Sequence, residues 1–200
     1  MYKLDVDEAR KRRYATVFLL AAATGLRCGE LFALRVNDID FKAGTIRVDE
    51  SADQRTYKIG PCKNAAAYRT VLLADAEGRE ALSALKRFLK GPHLSNSLVF
   101  QSRRGSPRRE TNVLPEFLHP VLKALGLQKA GMHTFRHGCN RRWELAGMNA
   151  AVLRQQMCAA IHSIPNSLSA RPKCERAFSP RNCSPSGAAA DVRKMLFLSV

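Results

Sequence analysis

Apolar residues recur at helical spacing over residues 7–24, where Val17, Leu20, Ala21 and Thr24 share one face behind an acidic opening of Asp5, Asp7 and Glu8. Carboxylates suit the positive end of a helix dipole, and Gly25 follows as the residue type that commonly closes a helix. A short second helix is expected from Gly29 to Leu34, so the hinge between the two holds Arg27. From Asn37 the period drops to two. Ile39 and Phe41 lead into an Ala43-Gly44 turn, and Thr45 to Asp49 alternates as a half-buried strand. Thr56 to Ile59 is a second strand candidate, Gly60-Pro61 reads as a break, and Tyr68 to Leu73 is a third strand. Together they predict a small antiparallel sheet, with Lys63 in or beside its last turn.

The helical period returns from Asp75 to Leu89, where Ala81, Leu82, Leu85 and Leu89 form one stripe. Leu98-Val99-Phe100 is a short apolar run. Residues 101–109 then form a loop with four arginines (Arg103, Arg104, Arg108, Arg109) and no acid. Asn112 is expected to cap a helix through Leu125, ended by Gly126. Further helices are expected from Thr134 to about Ala146 and from Ala150 to Met157. The fold class is therefore α+β, mainly helical with a small antiparallel sheet.

After Met157 the character changes. Residues 158–187 contain six Ser, four Pro and three Cys, with no Tyr or Trp and no apolar period. Such a segment buries too little to offset its ordering entropy. The division expected is a folded part, 1–157, and a divergent, poorly ordered tail, 158–200. If that tail replaces packing helices, Leu145, Val152 and Met157 are expected to lie exposed as an aggregation surface.

Charge narrows the partners. Thirty-three Lys and Arg stand against seventeen Asp and Glu, a net charge of +16, which favours a polyanion such as nucleic acid. The six cysteines show no paired C-x-x-C spacing, which argues against a zinc site or a disulfide framework and for reduced thiols. Cys28 and Cys139 are expected to pack as small apolar groups. The N-terminus carries no signal-peptide pattern, and the apolar stretch from Ala15 to Leu26 is shorter than the ~20 residues that span a bilayer. A soluble cytoplasmic protein without membrane partner is expected.

Candidate chemistry rests on four dispersed basic residues. Arg27 lies in Thr24-Gly25-Leu26-Arg27-Cys28-Gly29-Glu30-Leu31. Lys63 ends Gly60-Pro61-Cys62-Lys63, ahead of Tyr68-Arg69-Thr70-Val71-Leu72-Leu73, and His133-x-x-Arg136-His137 follows later. Taken singly, Arg27 reads as a surface or capping residue, Lys63 as a solvated turn lysine and His133 as a helix-start histidine. Taken together, in this order over roughly residues 7–157, the three segments resemble the catalytic domain of the tyrosine recombinase (phage integrase) family.

That resemblance implies DNA breaking and rejoining (recombination and integration, as in mobile genetic elements) on double-stranded DNA, with neither metal nor nucleotide cofactor. Arg27 and Arg136 would clamp the scissile phosphate, which the planar, always-charged guanidinium suits. Lys63 would be the general acid toward the leaving 5′-oxygen, and His133 would position the phosphate or assist proton transfer. Glu30 is expected to hold Arg27 by a salt bridge. DNA contacts are expected from Arg27, Arg136, Arg103, Arg104, Arg108 and Arg109.

Two further family features are missing. The chain has no tyrosine after Tyr68, and the nucleophile is expected near Leu168, with Cys158-Ala159 where a Gly-His pair would stand. Without the phenolic oxygen no covalent 3′-phosphotyrosine forms, and Tyr68, in a strand, does not replace it. A frameshift or truncating rearrangement at residue 157 would give this pattern. Only six residues precede the first helix read from the sequence, so the family's core-binding domain is expected to be absent. Tetramers of relatives use C-terminal segments that this chain replaces. The expectation is a truncated recombinase domain that binds DNA without cleaving it. The alternatives are a non-catalytic nucleic-acid-binding protein and a pseudogene product without selected function.

Overall fold

The structure, a computed structural model, describes residues 2–62, 67–91 and 93–157, with backbone alone for residues 2–9. Lys63, the position of the expected nucleophile at Leu168 and the tail read from 158 onward lie outside the described residues. Helix α1 (Tyr2–Thr24) begins earlier than the apolar stripe indicates and buries Tyr14, Val17, Phe18, Leu20 and Ala21. Its last turn is tightened by the buried Thr24 hydroxyl, which donates to the Leu20 carbonyl at 2.6 Å. Helix α2 (Cys28–Ala33) and a 3-10 turn (Val36–Asp38) lead into the strands.

The strands form two small sheets, where the sequence suggested one. Strands β1 (Ile39–Asp40), β2 (Thr45–Val48) and β5 (Arg69–Leu72) pair antiparallel in the order β1-β2-β5, with Ile46 opposite Val71. Strands β3 (Glu50–Ala52) and β4 (Ile59–Pro61) form a separate two-stranded ribbon, with Ser51 opposite Gly60. The strand expected over Thr56 to Ile59 is thus mostly turn, in which Tyr57 adopts φ +62. Gly60-Pro61, read as a break, lies inside β4. A two-stranded ribbon leaves half of its backbone groups pointing outward, so Pro61 gives up no ladder bond.

Helix α3 (Ala76–Phe88) starts at Asp75, whose Oδ1 accepts from the Gly78 N–H at 2.7 Å, and buries Ala81, Ala84 and Leu85. The next helical run comprises α4 (Glu110–Val113), a π-helical stretch (Leu114–Leu118) and α5 (His119–Ala124). Asn112, expected as its cap, lies within α4. The start is fixed instead by tertiary bonds of Glu110. Its N–H donates to Gln54 Oε1 at 2.9 Å, and its Oε1 accepts from the Met132 N–H at 2.8 Å. Helices α6 (Met132–Leu145) and α7 (Ala150–Met157) complete the fold, α6 against α1 and α7 against β5 and α6.

Phe32, Phe100, Leu31, Ile46, Leu85, Val71 and Val113 lie at the centre of the core. Leu145 and Val152 are exposed, as expected. Met157 is not: at 3% exposure it belongs to the core, because its side chain packs where the chain turns at Gly25, beside Cys139.

Candidate functional site

The turn after α1 is built to present Arg27. Gly25 takes φ +61, a conformation that costs a residue with a Cβ, and the Leu26 N–H donates to the Thr24 hydroxyl at 3.3 Å. Arg27 is extended (φ −67, ψ 152) and caps α2. Its N–H donates to Glu30 Oε2 at 2.9 Å and its Nη1 to Glu30 Oε1 at 3.0 Å. The expected salt bridge is therefore present, and it is asymmetric. The Arg27 side chain is 47% exposed while that of Glu30 is 3% exposed, so the cation is held from beneath and faces solvent.

Beneath Glu30 lies Arg69. Its Nη2 and Nη1 donate to the two Glu30 oxygens at 2.8 and 3.2 Å, and its side chain is 2% exposed. Burial opposes ionisation of Glu30. The bonds and charge of Arg69, joined by those of Arg27, outweigh it and hold the carboxyl below the usual carboxylate range. Sequence reading placed Arg69 in a strand that carries part of the family resemblance and gave it no role. A signal existed, since Arg69 is in phase with Val71 on the buried face of β5.

His133 and Arg136 lie at the start of α6. His133 is exposed, and its ring meets that of His137 edge-on, with centroids 4.6 Å apart. The Arg136 Nη1 donates to the Gly25 carbonyl at 2.6 Å, and its Nη2 donates to the Met157 carbonyl. The structure thus joins Arg136 to the turn that carries Arg27. Six residues further along α6, Arg142 donates to the Ala22 and Ala23 carbonyls at 2.9 and 3.2 Å, a cation at the C-terminal end of α1.

The two cysteines differ. Cys139 is buried, its Sγ 3.4 Å from the Ala23 carbonyl, and burial pushes its thiol up to about 12. Cys28 is half-buried and packs against the core, as expected, with Sγ 3.6 Å from Gln54 Oε1, and burial also raises its thiol above the usual range.

The arginine loop divides by use. Arg103 and Arg104 are exposed at its tip. Arg108 is half-buried against α1, where its Nη1 donates to the Tyr14 hydroxyl at 2.7 Å. The Arg109 guanidinium stacks 3.5 Å from the centre of the Tyr57 ring and donates to the Arg55 carbonyl. Two of the four arginines therefore fasten the loop to α1 and to the β3–β4 turn. Nearby Arg13 has a pKa below the ordinary arginine value, chiefly through burial and then through Arg108.

Among the described residues, no group of three or more His, Cys, Asp or Glu is placed to hold a metal ion, and no helix is long and apolar enough to cross a membrane. The Phage integrase family model matches residues 2–159. The chain belongs to the phage integrase family. Within this family it is 28% identical over 134 residues to tyrosine recombinase XerC of Bacillus pumilus (strain SAFR-032), a match covering 66% of this chain and 41% of XerC. The integrase fold is shared with the Tn1549 transposon integrase solved in complex with circular intermediate DNA, at TM-score 0.59 and 23% identity over 73% of this chain and 51% of that one. XerA recombinase matches at TM-score 0.55 and 22% identity, over 77% of this chain and 54% of its own. The chain spans about two-fifths to about half the length of these relatives.

Proposed function

We propose that this chain is a tyrosine recombinase catalytic domain that grips the phosphate backbone of double-stranded DNA and does not itself cleave it. Arg27 and Arg136 act as the two clamps on a non-bridging phosphate oxygen pair. Lys63 is the proton donor to a leaving 5′-oxygen, and His133 orients the phosphate. The observation that carries this reading is the bond from Arg136 to the Gly25 carbonyl, which joins two motifs otherwise far apart in the chain. A partly exposed guanidinium anchored by a buried carboxylate is pre-oriented, so little freedom is lost when it meets a phosphate.

Cleavage needs a nucleophile, and the chain carries no tyrosine after Tyr68. A nicked suicide substrate incubated with the protein should give no covalent protein–DNA adduct; an adduct would overturn the claim of inactivity. Phosphate gripping is tested by fluorescence anisotropy on duplex DNA. Replacing Arg27 and Arg136 by alanine should weaken binding more than replacing Arg103 and Arg104. Equal losses would favour the second reading, a nucleic-acid-binding protein whose charge is the whole function. The positive charges of Arg108 and Arg103 acting on Arg13 support that rival.

A further inference from the structure

We propose that Arg69 is a positioning residue for the phosphate site: buried between Glu30 and α7, it fixes the carboxylate that holds Arg27. The proposal rests on the reading of Arg27 as a phosphate clamp. Four bonds surround the Arg69 guanidinium. Nη2 and Nη1 donate to Glu30 Oε2 and Oε1 at 2.8 and 3.2 Å, Nη1 also donates to the Ala67 carbonyl at 3.0 Å, and Nε donates to the Gln156 carbonyl at 2.8 Å. A forked cation faces both oxygens of a carboxylate while turning a further N–H to a third acceptor; a lysine ammonium is a single point. Glu30 in turn accepts from Arg27 at its backbone N–H and at its Nη1. Both the root and the tip of Arg27 therefore depend on a carboxylate whose other side is gripped by Arg69.

On its far side Arg69 reaches the same helix, α7, as Arg136. The Gln156 carbonyl takes the Arg69 Nε, and the neighbouring Met157 carbonyl takes Arg136. Gln156 also fastens α7 to β5. Its Oε1 accepts from the Leu72 N–H at 3.1 Å and its Nε2 donates to the Thr70 carbonyl at 3.4 Å. One short turn of α7 thus sets Arg136 directly and Arg27 through Arg69 and Glu30. Stability alone gives little reason for such a pair, because apolar residues of similar volume often serve a core equally well.

The test is a double-mutant cycle on the full chain, with anisotropy on a random-sequence DNA duplex and circular dichroism to confirm folding. Arg27→Ala should weaken binding by about tenfold in the unaltered chain, as expected for one lost charge-assisted contact. In an Arg69→Gln background the same replacement should weaken it by less than about twofold, because Arg27 is no longer held in place. In Arg69→Lys the loss should fall between the two. An undiminished Arg27→Ala effect in Arg69→Gln, whatever its melting temperature, would overturn the proposal. If Arg69→Gln does not fold, an undiminished effect in Arg69→Lys does so. Should Arg27→Ala change nothing in the unaltered chain, the phosphate-clamp reading itself falls.

Discussion

Arg136 donates to the carbonyl of Gly25 across 2.6 Å, although the two residues lie 111 positions apart. The acceptor exists because Gly25 is left-handed: the turn it makes points Arg27 outward and its own carbonyl toward α6. Helix α1, the Arg27 turn, α6 and α7 meet at this one residue, since Met157 and Cys139 also pack beside it.

Gly25→Ala should therefore be costly. Its φ of +61 is strained for alanine, by about 1–2 kcal/mol. The added Cβ would stand 2.7 Å from Met157 Cε and 3.3 Å from Cys139 Cβ. The Met157 side chain is flexible and can yield, so backbone strain dominates. A loss of about 2 kcal/mol corresponds to a melting temperature lower by about 4–8 °C in a chain of this size. Thermal unfolding followed by circular dichroism checks it; an unchanged midpoint would argue against a left-handed turn.

Glu30 gives stability a pH dependence of definite sign. Its folded carboxyl titrates below the ordinary range, so the unfolded chain takes up the proton first as pH falls. The contribution is complete above the unfolded value of about 4.3 and is lost as pH falls from there through the lower folded value. Glu30→Gln should thus be less stable than the unaltered chain at pH 7, with the gap narrowing in acid. Urea midpoints over a pH series measure the gap, and one that stays constant down to low pH would sink the idea.

What the sequence revealed, and what it hid, follows the range of the interactions. The Arg27 turn and the His133–Arg136 helix start were legible because Gly25, the helical stripes and the motif spacing are local signals. Asn112 misled because a cap residue was inferred from type, while the helix start is set by Glu110 bonding to Gln54 and Met132, far away in sequence. Pro61 misled because its reading as a break assumed a strand with partners on both sides, whereas β4 has one. Met157 was expected to lie exposed for want of later packing helices, yet its partners at Gly25 and Cys139 come from earlier elements. Arg69 and Asp75 escaped for the same reason: their partners are assembled only by the fold.

Cys139 should be chemically silent in the native protein. Alkylation proceeds through the thiolate, and a thiol raised to about 12 by burial is almost wholly protonated at pH 8. Iodoacetamide should leave Cys139 unmodified in buffer and modify it in urea, read by peptide mass spectrometry. Half-buried Cys28, raised by the same cause, should also react slowly. Native modification of Cys139 faster than global unfolding would contradict its buried position.

Asp75 serves two helices with its two oxygens. Oδ1 caps α3 through the Gly78 N–H, while Oδ2 accepts from the Trp143 indole and from Arg142, each at 3.1 Å. Asn caps a helix about as well as Asp. Asp75→Asn therefore keeps the cap and sets an amide against two donors, which leaves the indole N–H of Trp143, a buried residue, without its acceptor, at about 1–3 kcal/mol. Asp75→Ala loses the cap as well, about 1 kcal/mol more. Trp143 is the chain's one tryptophan, so its emission in a urea titration reports this contact directly. The expected order of stability is unaltered chain, then Asn, then Ala. If Asn matched the unaltered chain, the Asp75–Trp143 bond would carry no weight and Asp75 would be a cap alone.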